Sequence, residues 1–132
     1  MRLDNICKSY GEKAVLKDFS AVFANGGFSW IMGESGCGKT TLLRIIAGLE
    51  DFSGSISQVP SGGISMVFQE DRLCPQLTAL QNVTLVLPGS EKQYKEQIKS
   101  DFQQLGMDDA ALTLPAARLS GGQKRRTALL RA

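Results

Sequence analysis

Residues 33–40, which read GESGCGKT, decide the fold of this 132-residue chain. They match the pattern G-x-x-x-x-G-K-[ST], in which a glycine-rich loop follows a strand and opens a helix. The apolar run at residues 28–32 predicts a buried strand before the loop. From Lys39 onward the apolar side chains have helical spacing, and Gly48 is placed as a helix stop. The sequence therefore predicts strand, loop and helix in the order that the pattern requires.

The glycine loop has the chemistry of a polyphosphate site. Glycines let successive backbone N–H groups converge on an anion, and the N-terminus of the helix adds a partial positive charge. We expect Lys39 to reach the β and γ phosphates, Thr40 to bind Mg²⁺ and Thr41 to donate to the α phosphate. The predicted nucleotide-binding residues of the loop are Gly33, Glu34, Ser35, Gly36, Cys37, Gly38, Lys39, Thr40 and Thr41.

Two other interpretations of the loop remain open. One is a chance glycine-rich turn ahead of a helix. The other is a dinucleotide-binding loop, which fits less well because the third glycine of G-x-G-x-x-G is absent. Cys37 lies between two glycines, so an alkylating reagent on its thiol is expected to compete with nucleotide; alternatively, Cys37 is a small residue that simply fits.

Composition and charge exclude several classes of function. The 15 basic and 13 acidic residues give a net charge of +2, so we expect no nucleic-acid partner. There is no histidine, which excludes nucleophilic sites built on a Ser/His or Cys/His pair. The three cysteines contain no CxxC pair and favour neither a disulfide framework nor a zinc site. No apolar stretch approaches the roughly 20 residues of a membrane span.

The chain changes character from β to α near residues 70–76. Residues 53–59 and 63–68 have the composition of two further strands. Residues 77–87 predict a helix with Thr78 as its N-cap, and residues 91–105 predict another, with Tyr94, Ile98, Phe102 and Leu105 on one apolar stripe. We expect one part of the molecule in residues 1–72 and a second in residues 73–132.

A second motif, LSGGQ, occupies residues 119–123. Ser120 and the N–H groups of Gly121 and Gly122 would open a helix whose N-terminus can address a phosphate. With both motifs present, the chain resembles the nucleotide-binding subunit of an ATP-binding cassette (ABC) transporter over residues 3–132. The short spacings between motifs resemble compact importers, and residues 68–83 resemble the nitrate, sulfonate and taurine type.

The resemblance implies an α/β fold, the P-loop NTPase fold of the ABC cassette. Residues 1–72 would form the N-terminal part of the ATP-binding core, with a mixed β-sheet and the P-loop helix. Residues 73–132 would form an α-helical subdomain that ends in the signature helix. The resemblance also implies ATP and Mg²⁺ as cofactors, a second ATP-binding subunit paired head to tail, a transmembrane permease as partner, and a cytoplasmic position on the inner face of the membrane.

The resemblance assigns roles to residues outside the loop. Tyr10 would stack on adenine. Gln69 would be the catalytic glutamine, which senses Mg²⁺ and the attacking water, and Gln69 and Thr40 would be the protein ligands of the Mg²⁺ ion. The signature residues Ser120, Gly121, Gly122 and Gln123 would contact ATP held by the opposite subunit. Arg72, Leu73 and the helical segment from Pro75 onward would lie where the permease docks. The alternatives are an aromatic covering a hairpin for Tyr10, a polar strand end for Gln69 and a solvated helix face for the docking surface.

The Walker B aspartate, the catalytic glutamate and the switch histidine of the family have no counterpart in these residues. We therefore expect a chain truncated before Walker B, with the C-terminal part of the core missing and an unpaired edge at residues 28–32. Two alternatives to a transporter subunit are a non-hydrolysing ATP-binding fragment or pseudogene product and a soluble ABC protein not involved in transport.

Overall fold

The computed structural model of the protein describes residues 1–89 and 91–132. The chain forms two compact units, Met1–Ser65 and Met66–Ala132. The division after residue 72, which the sequence predicts, stays a prediction. In the ranges described, no helix is long and apolar enough to cross a lipid bilayer.

The first unit contains a three-stranded antiparallel sheet. Its strands are β1 (Arg2–Tyr10), β2 (Lys13–Val22) and β3 (Ser53–Ser57), in the order β2-β1-β3. The pairing of β1 shifts register between Leu3 and Ile6, where Asn5 has a φ of 51°. This bulge brings two residues that are three positions apart onto the same buried face, which regular alternation would not do.

The helix after the glycine loop, α1 (Lys39–Ile46), packs against the sheet. The buried residues of this core are Leu3, Ile6, Leu16, Leu42 and Ile45. Gly48 follows the helix with a φ of 70°, and the Leu49 N–H donates to the Arg44 carbonyl at 2.8 Å. The predicted stop at Gly48 is confirmed, because a left-handed residue at this point satisfies the last carbonyls of the helix.

Two predicted strands are absent from the described residues. Residues 28–32 form no strand, and the side chains of Phe28, Trp30 and Met32 are 101%, 86% and 87% exposed. Residues 63–68 also have no strand structure. The prediction of a buried strand before the loop was therefore wrong for this structure. A strand requires a hydrogen-bonded neighbour, and no described segment pairs with either of these two.

The second unit is helical. Its elements are α2 (Ala79–Thr84), α3 (Glu91–Gln104), α4 (Asp109–Leu112), a 3₁₀ turn (Ala116–Arg118) and α5 (Gly121–Arg131). Thr78 caps α2 as predicted: its hydroxyl accepts from the Gln81 N–H at 3.1 Å, and the Gln81 side chain accepts from the Thr78 N–H at 3.0 Å. On α3, Ile98 and Phe102 are buried, as the apolar stripe predicts.

A buried asparagine joins the start of this unit to α2. Asn82 is fully buried, and its side-chain oxygen accepts from the Cys74 N–H at 2.8 Å. Its amide nitrogen donates to the carbonyls of Cys74, Leu77 and Thr78 at 3.0–3.2 Å. One side chain thus adds four hydrogen bonds to the few backbone bonds that residues 74–78 make.

We expect Asn82→Ala to destabilise the protein by about 2–3 kcal/mol, because it leaves the Cys74 N–H without its acceptor and removes the amide donor from three carbonyls. Urea unfolding followed by circular dichroism measures this loss. The matched control is Gln104→Ala at an exposed position of α3, which should change the free energy of unfolding by less than about 0.5 kcal/mol. Equal unfolding midpoints for the two variants would contradict the role given to Asn82.

Candidate nucleotide-binding site

Gly38 fixes how the glycine loop enters α1. It is the N-cap of the helix, is buried and has a φ of 100°. A Cβ at this position would lie 3.0 Å from Val15 Cγ1, 3.1 Å from Leu16 Cδ2 and 3.3 Å from the Val15 carbonyl oxygen. Both the conformation and the lack of space require glycine. The loop is thereby held directly against strand β2.

The Lys39 ammonium lies inside the loop. Its Nζ donates to the carbonyl oxygens of Gly33 at 2.9 Å and Glu34 at 2.7 Å, and it lies 3.7 Å from the Sγ of Cys37. Among the ion pairs of the described residues, none involves Lys39. The cation is therefore held by neutral carbonyl groups, which an anionic ligand can replace without breaking a salt bridge.

The N-terminus of α1 carries no cap of its own. Gly38 has no side chain, and the first turn has no acidic residue, so the first N–H groups of the helix have no local side-chain acceptor. They face a concavity of about 340 Å³. It is lined by Val15, Ser35, Gly36, Gly38, Lys39, Thr40 and Thr41. The structure thus brings most of the predicted loop residues around one space, and it adds Val15, which the sequence analysis missed.

Tyr10, the last residue of β1, belongs to the same unit as the loop. Its side chain is 46% exposed, and the Lys8 Nζ lies 5.1 Å from the centre of its ring. Lys8 is also paired with Glu50. The hydrogen bond from Lys8 is the main cause that holds the pKa of Glu50 below its ordinary value, and the Tyr10 hydroxyl acts in the same direction. Neither Lys8 nor Glu50 belongs to a recognisable motif, so no sequence pattern could have identified them.

Gln69 lies in the second unit, in the irregular segment of residues 68–72. Its side chain is exposed, and its backbone is held by α5. Arg125 donates to the carbonyl of Phe68 and, at 3.5 Å, to that of Gln69. Arg131 donates to the carbonyls of Arg72 at 2.7 Å and Asp71 at 3.0 Å. The sequence analysis missed this pair of arginines, because contacts to backbone carbonyls leave no pattern in the residues contacted.

The signature residues form the start of α5. Ser120 is the N-cap: its hydroxyl accepts from the Gln123 N–H at 3.2 Å, and the Gln123 side chain accepts from the Ser120 N–H at 2.9 Å. Gly121 and Gly122 are exposed in the first turn. The spacing of serine and glutamine is therefore that of a capping box. The hydroxyl of the cap accepts from the Gln123 N–H and not from the N–H groups of Gly121 and Gly122.

A shallow groove of about 220 Å³ adjoins the segment that carries Gln69. It is lined by Asp71, Arg72, Leu73, Pro75, Ala116, Ala117 and Lys124. Arg72 has a φ of 47°, and its guanidinium lies 4.0 Å from the centre of the Phe68 ring. These residues include the ones that the sequence places toward a permease.

The chain is similar over nearly its whole length to proteins of one family. The sequence profile of the family described as ABC transporter matches residues 16–132. The aliphatic sulfonates import ATP-binding protein SsuB 1 of Agrobacterium fabrum is 43% identical over 131 residues, covering 97% of this chain and 47% of the relative. The SsuB protein of Pectobacterium atrosepticum is 41% identical over 139 residues, covering 100% of this chain and 51% of the relative. The chain thus spans about half the length of these relatives.

Solved structures of ATP-binding cassettes share the fold. The dimeric structure of MJ0796 in a post-hydrolysis state, bound to ADP and Pi, has a TM-score of 0.80 at 29% sequence identity, covering 98% of this chain and 67% of that chain. A second dimeric structure of MJ0796, described as a bacterial ABC transporter cassette, has a TM-score of 0.79. This chain therefore belongs to the ABC transporter family, and its α/β fold is that of the N-terminal part of an ATP-binding cassette.

Proposed function

We propose that this chain binds ATP with Mg²⁺ as part of the ATP-binding subunit of an ABC importer. The observation that carries the proposal is the Lys39 ammonium inside the glycine loop, at the uncapped start of α1 and beside a concavity of about 340 Å³. A cation, a set of converging N–H groups and a positive helix terminus in one place form a site for several phosphates.

Each loop residue has a part in this binding. Lys39 exchanges its two carbonyl partners for the β and γ phosphate oxygens, which bind it more strongly because they are charged. The Thr40 hydroxyl lines the same concavity and suits a hard cation such as Mg²⁺. The bound ion would neutralise charge on the phosphates, with Gln69 as its second protein contact. Thr41 donates to the α phosphate, and the ring of Tyr10 stacks on adenine.

The second unit contributes a contact to ATP held by another copy of the subunit. The N–H groups of Gly121 and Gly122, at the start of α5, point to a phosphate of that nucleotide, and Ser120 and Gln123 hold the turn in shape. The two copies pair head to tail. In support, the solved structures of MJ0796 are described as dimeric, and one of them holds ADP and Pi.

The remaining assignments follow from the relatives named as aliphatic sulfonate importers. We propose a cytoplasmic subunit on the inner face of the membrane, docked to a permease through the groove at Arg72 and Leu73, with a small sulfonate as the imported solute. ATP hydrolysis belongs to the whole protein. Residues 1–72 bind the nucleotide, and residues 73–132 carry the signature and contact the permease. For these residues the proposal is ATP binding, and a measurement of phosphate release by the 132-residue chain tests whether they also turn ATP over.

Lys39→Ala should weaken ATP binding at least tenfold, about 1.4 kcal/mol, because it removes the only side-chain cation among the described residues that line the phosphate concavity. Isothermal titration of the 132-residue chain with MgATP measures the affinity. Lys17→Ala, at an exposed position of β2, is the matched loss of one positive charge and should leave the affinity within twofold. Equal affinities for wild type and Lys39→Ala would refute the phosphate site.

Alkylation of Cys37 should block ATP binding, and bound ATP should slow the alkylation at least fivefold. The thiol is exposed in the loop, next to the Lys39 ammonium, so a bulky adduct occupies the space of the phosphates. Labelling by N-ethylmaleimide, followed by peptide mass spectrometry, gives the rate. Cys7 and Cys74 are half-buried internal controls, whose labelling should not respond to ATP. The same labelling rate for Cys37 with and without ATP would contradict this arrangement.

A further inference from the structure

A small charged cluster adjoins Tyr10 in the first unit. Lys8 of β1 forms an ion pair with Glu50, which lies between α1 and β3, at 3.2 Å. The Lys8 ammonium also donates to the carbonyl of Asp51 at 2.6 Å. Arg44, at the end of α1, approaches Glu50 at 3.5 Å. The cluster therefore connects β1, the end of α1 and the segment between α1 and β3.

The ion pair is better protected than a typical surface pair. The side chains of Lys8 and Glu50 are only 14% and 20% exposed, whereas Arg44 is 38% exposed. Two oxygen partners fix the Lys8 ammonium, so its long side chain has little freedom left. A fixed cation can orient a neighbouring group, which a mobile surface lysine cannot do.

That neighbouring group is the ring of Tyr10. The Lys8 ammonium and the Tyr10 ring lie on the same side of β1, because the two groups are in contact. The Lys8 ammonium is 5.1 Å from the ring centre, within the range of a cation–π contact. Almost half of the Tyr10 side chain stays exposed. An aromatic held by a cation and still partly open has a surface ready for a planar ligand.

We propose that Lys8 and Glu50 are positioning residues for Tyr10, holding its ring in the orientation that stacks on a nucleobase. The inference rests on the proposed binding of ATP and deepens it: the loop at Lys39 sets the affinity for phosphates, and the Lys8–Glu50 pair sets the additional affinity for the base. Tyr10 contacts the base, and the other two residues act through Tyr10.

This division of roles is tested by comparing two ligands, MgATP and inorganic tripolyphosphate with Mg²⁺. Tripolyphosphate has the phosphates of ATP but no base. A change of charge near the loop alters both affinities, whereas a change in the orientation of Tyr10 alters that of ATP alone. The ratio of the two affinities therefore isolates the contribution of the ring from general electrostatics and from partial loss of folding.

Isothermal titration of the full 132-residue chain should give the following results. Tyr10→Ala should lower the affinity for ATP about tenfold and leave the affinity for tripolyphosphate unchanged. This loss is the reference for the other variants. Glu50→Gln and Lys8→Met should each lower the ATP affinity threefold or more and leave tripolyphosphate within twofold. Lys8→Arg retains a cation that can pair with Glu50, so it should keep the wild-type ratio. Glu12→Gln, an exposed carboxylate of the β1–β2 turn, is the matched control for Glu50→Gln.

Three outcomes would overturn the inference while leaving the proposed function intact. Equal losses of affinity for both ligands in Glu50→Gln would show that the Lys8–Glu50 pair supports only the fold. A wild-type ratio in both Lys8→Met and Glu50→Gln would show that Tyr10 needs no support. Equal affinities of the wild type for ATP and tripolyphosphate would remove the base contact while leaving the phosphate site intact. Failure of the wild type to bind either ligand would instead refute the proposed function, and with it this inference.

Discussion

The first unit depends on how the Lys39 ammonium is held inside the glycine loop. The Lys39 side chain donates to the carbonyls of Gly33 and Glu34 at the start of the loop, and these bonds hold the loop in a closed shape. The geometry is possible only because Gly38 has no Cβ and packs against Val15 and Leu16 of β2. The glycine loop thus packs against the antiparallel sheet, although the sheet is distant from the motif in sequence.

In the second unit, two arginine side chains of α5 hold an irregular segment of backbone in place. Residues 68–72 have no regular structure, and the left-handed conformation of Arg72 is unfavourable by itself. Arg125 and Arg131, nearly two turns apart on α5, hold the carbonyls of this segment. Because Ser120 begins the same helix, Gln69 and the signature residues are attached to one element.

The sequence predicted what depends on neighbours along the chain. The loop, α1 with its stop at Gly48, and the Thr78 cap each follow from residues within one or two turns. The strands expected at residues 28–32 and 63–68 were wrong, because an apolar run indicates burial but does not supply a pairing partner. The pair Lys8–Glu50 and the bonds of Asn82 to residues 74–78 escaped prediction for a related reason: such contacts are set by tertiary structure and carry no periodicity.

Both glycine motifs place backbone N–H groups at the start of a helix, but the two helix starts differ in how strongly they can bind an anion. At α1 the helix start lacks a side-chain cap and has Lys39 beside it, so both the N–H groups and a cation are available for phosphates. At α5 the capping box of Ser120 and Gln123 already occupies one N–H group, and the glycines offer only the rest. An exposed helix terminus alone contributes about 0.3–1 kcal/mol to binding an anion. A contact this weak cannot capture ATP from solution, but it can add to a nucleotide that another loop already holds. The inequality of the two helix starts is thus consistent with the proposed arrangement, in which each ATP is bound first by a glycine loop and then contacted by the signature of a second copy.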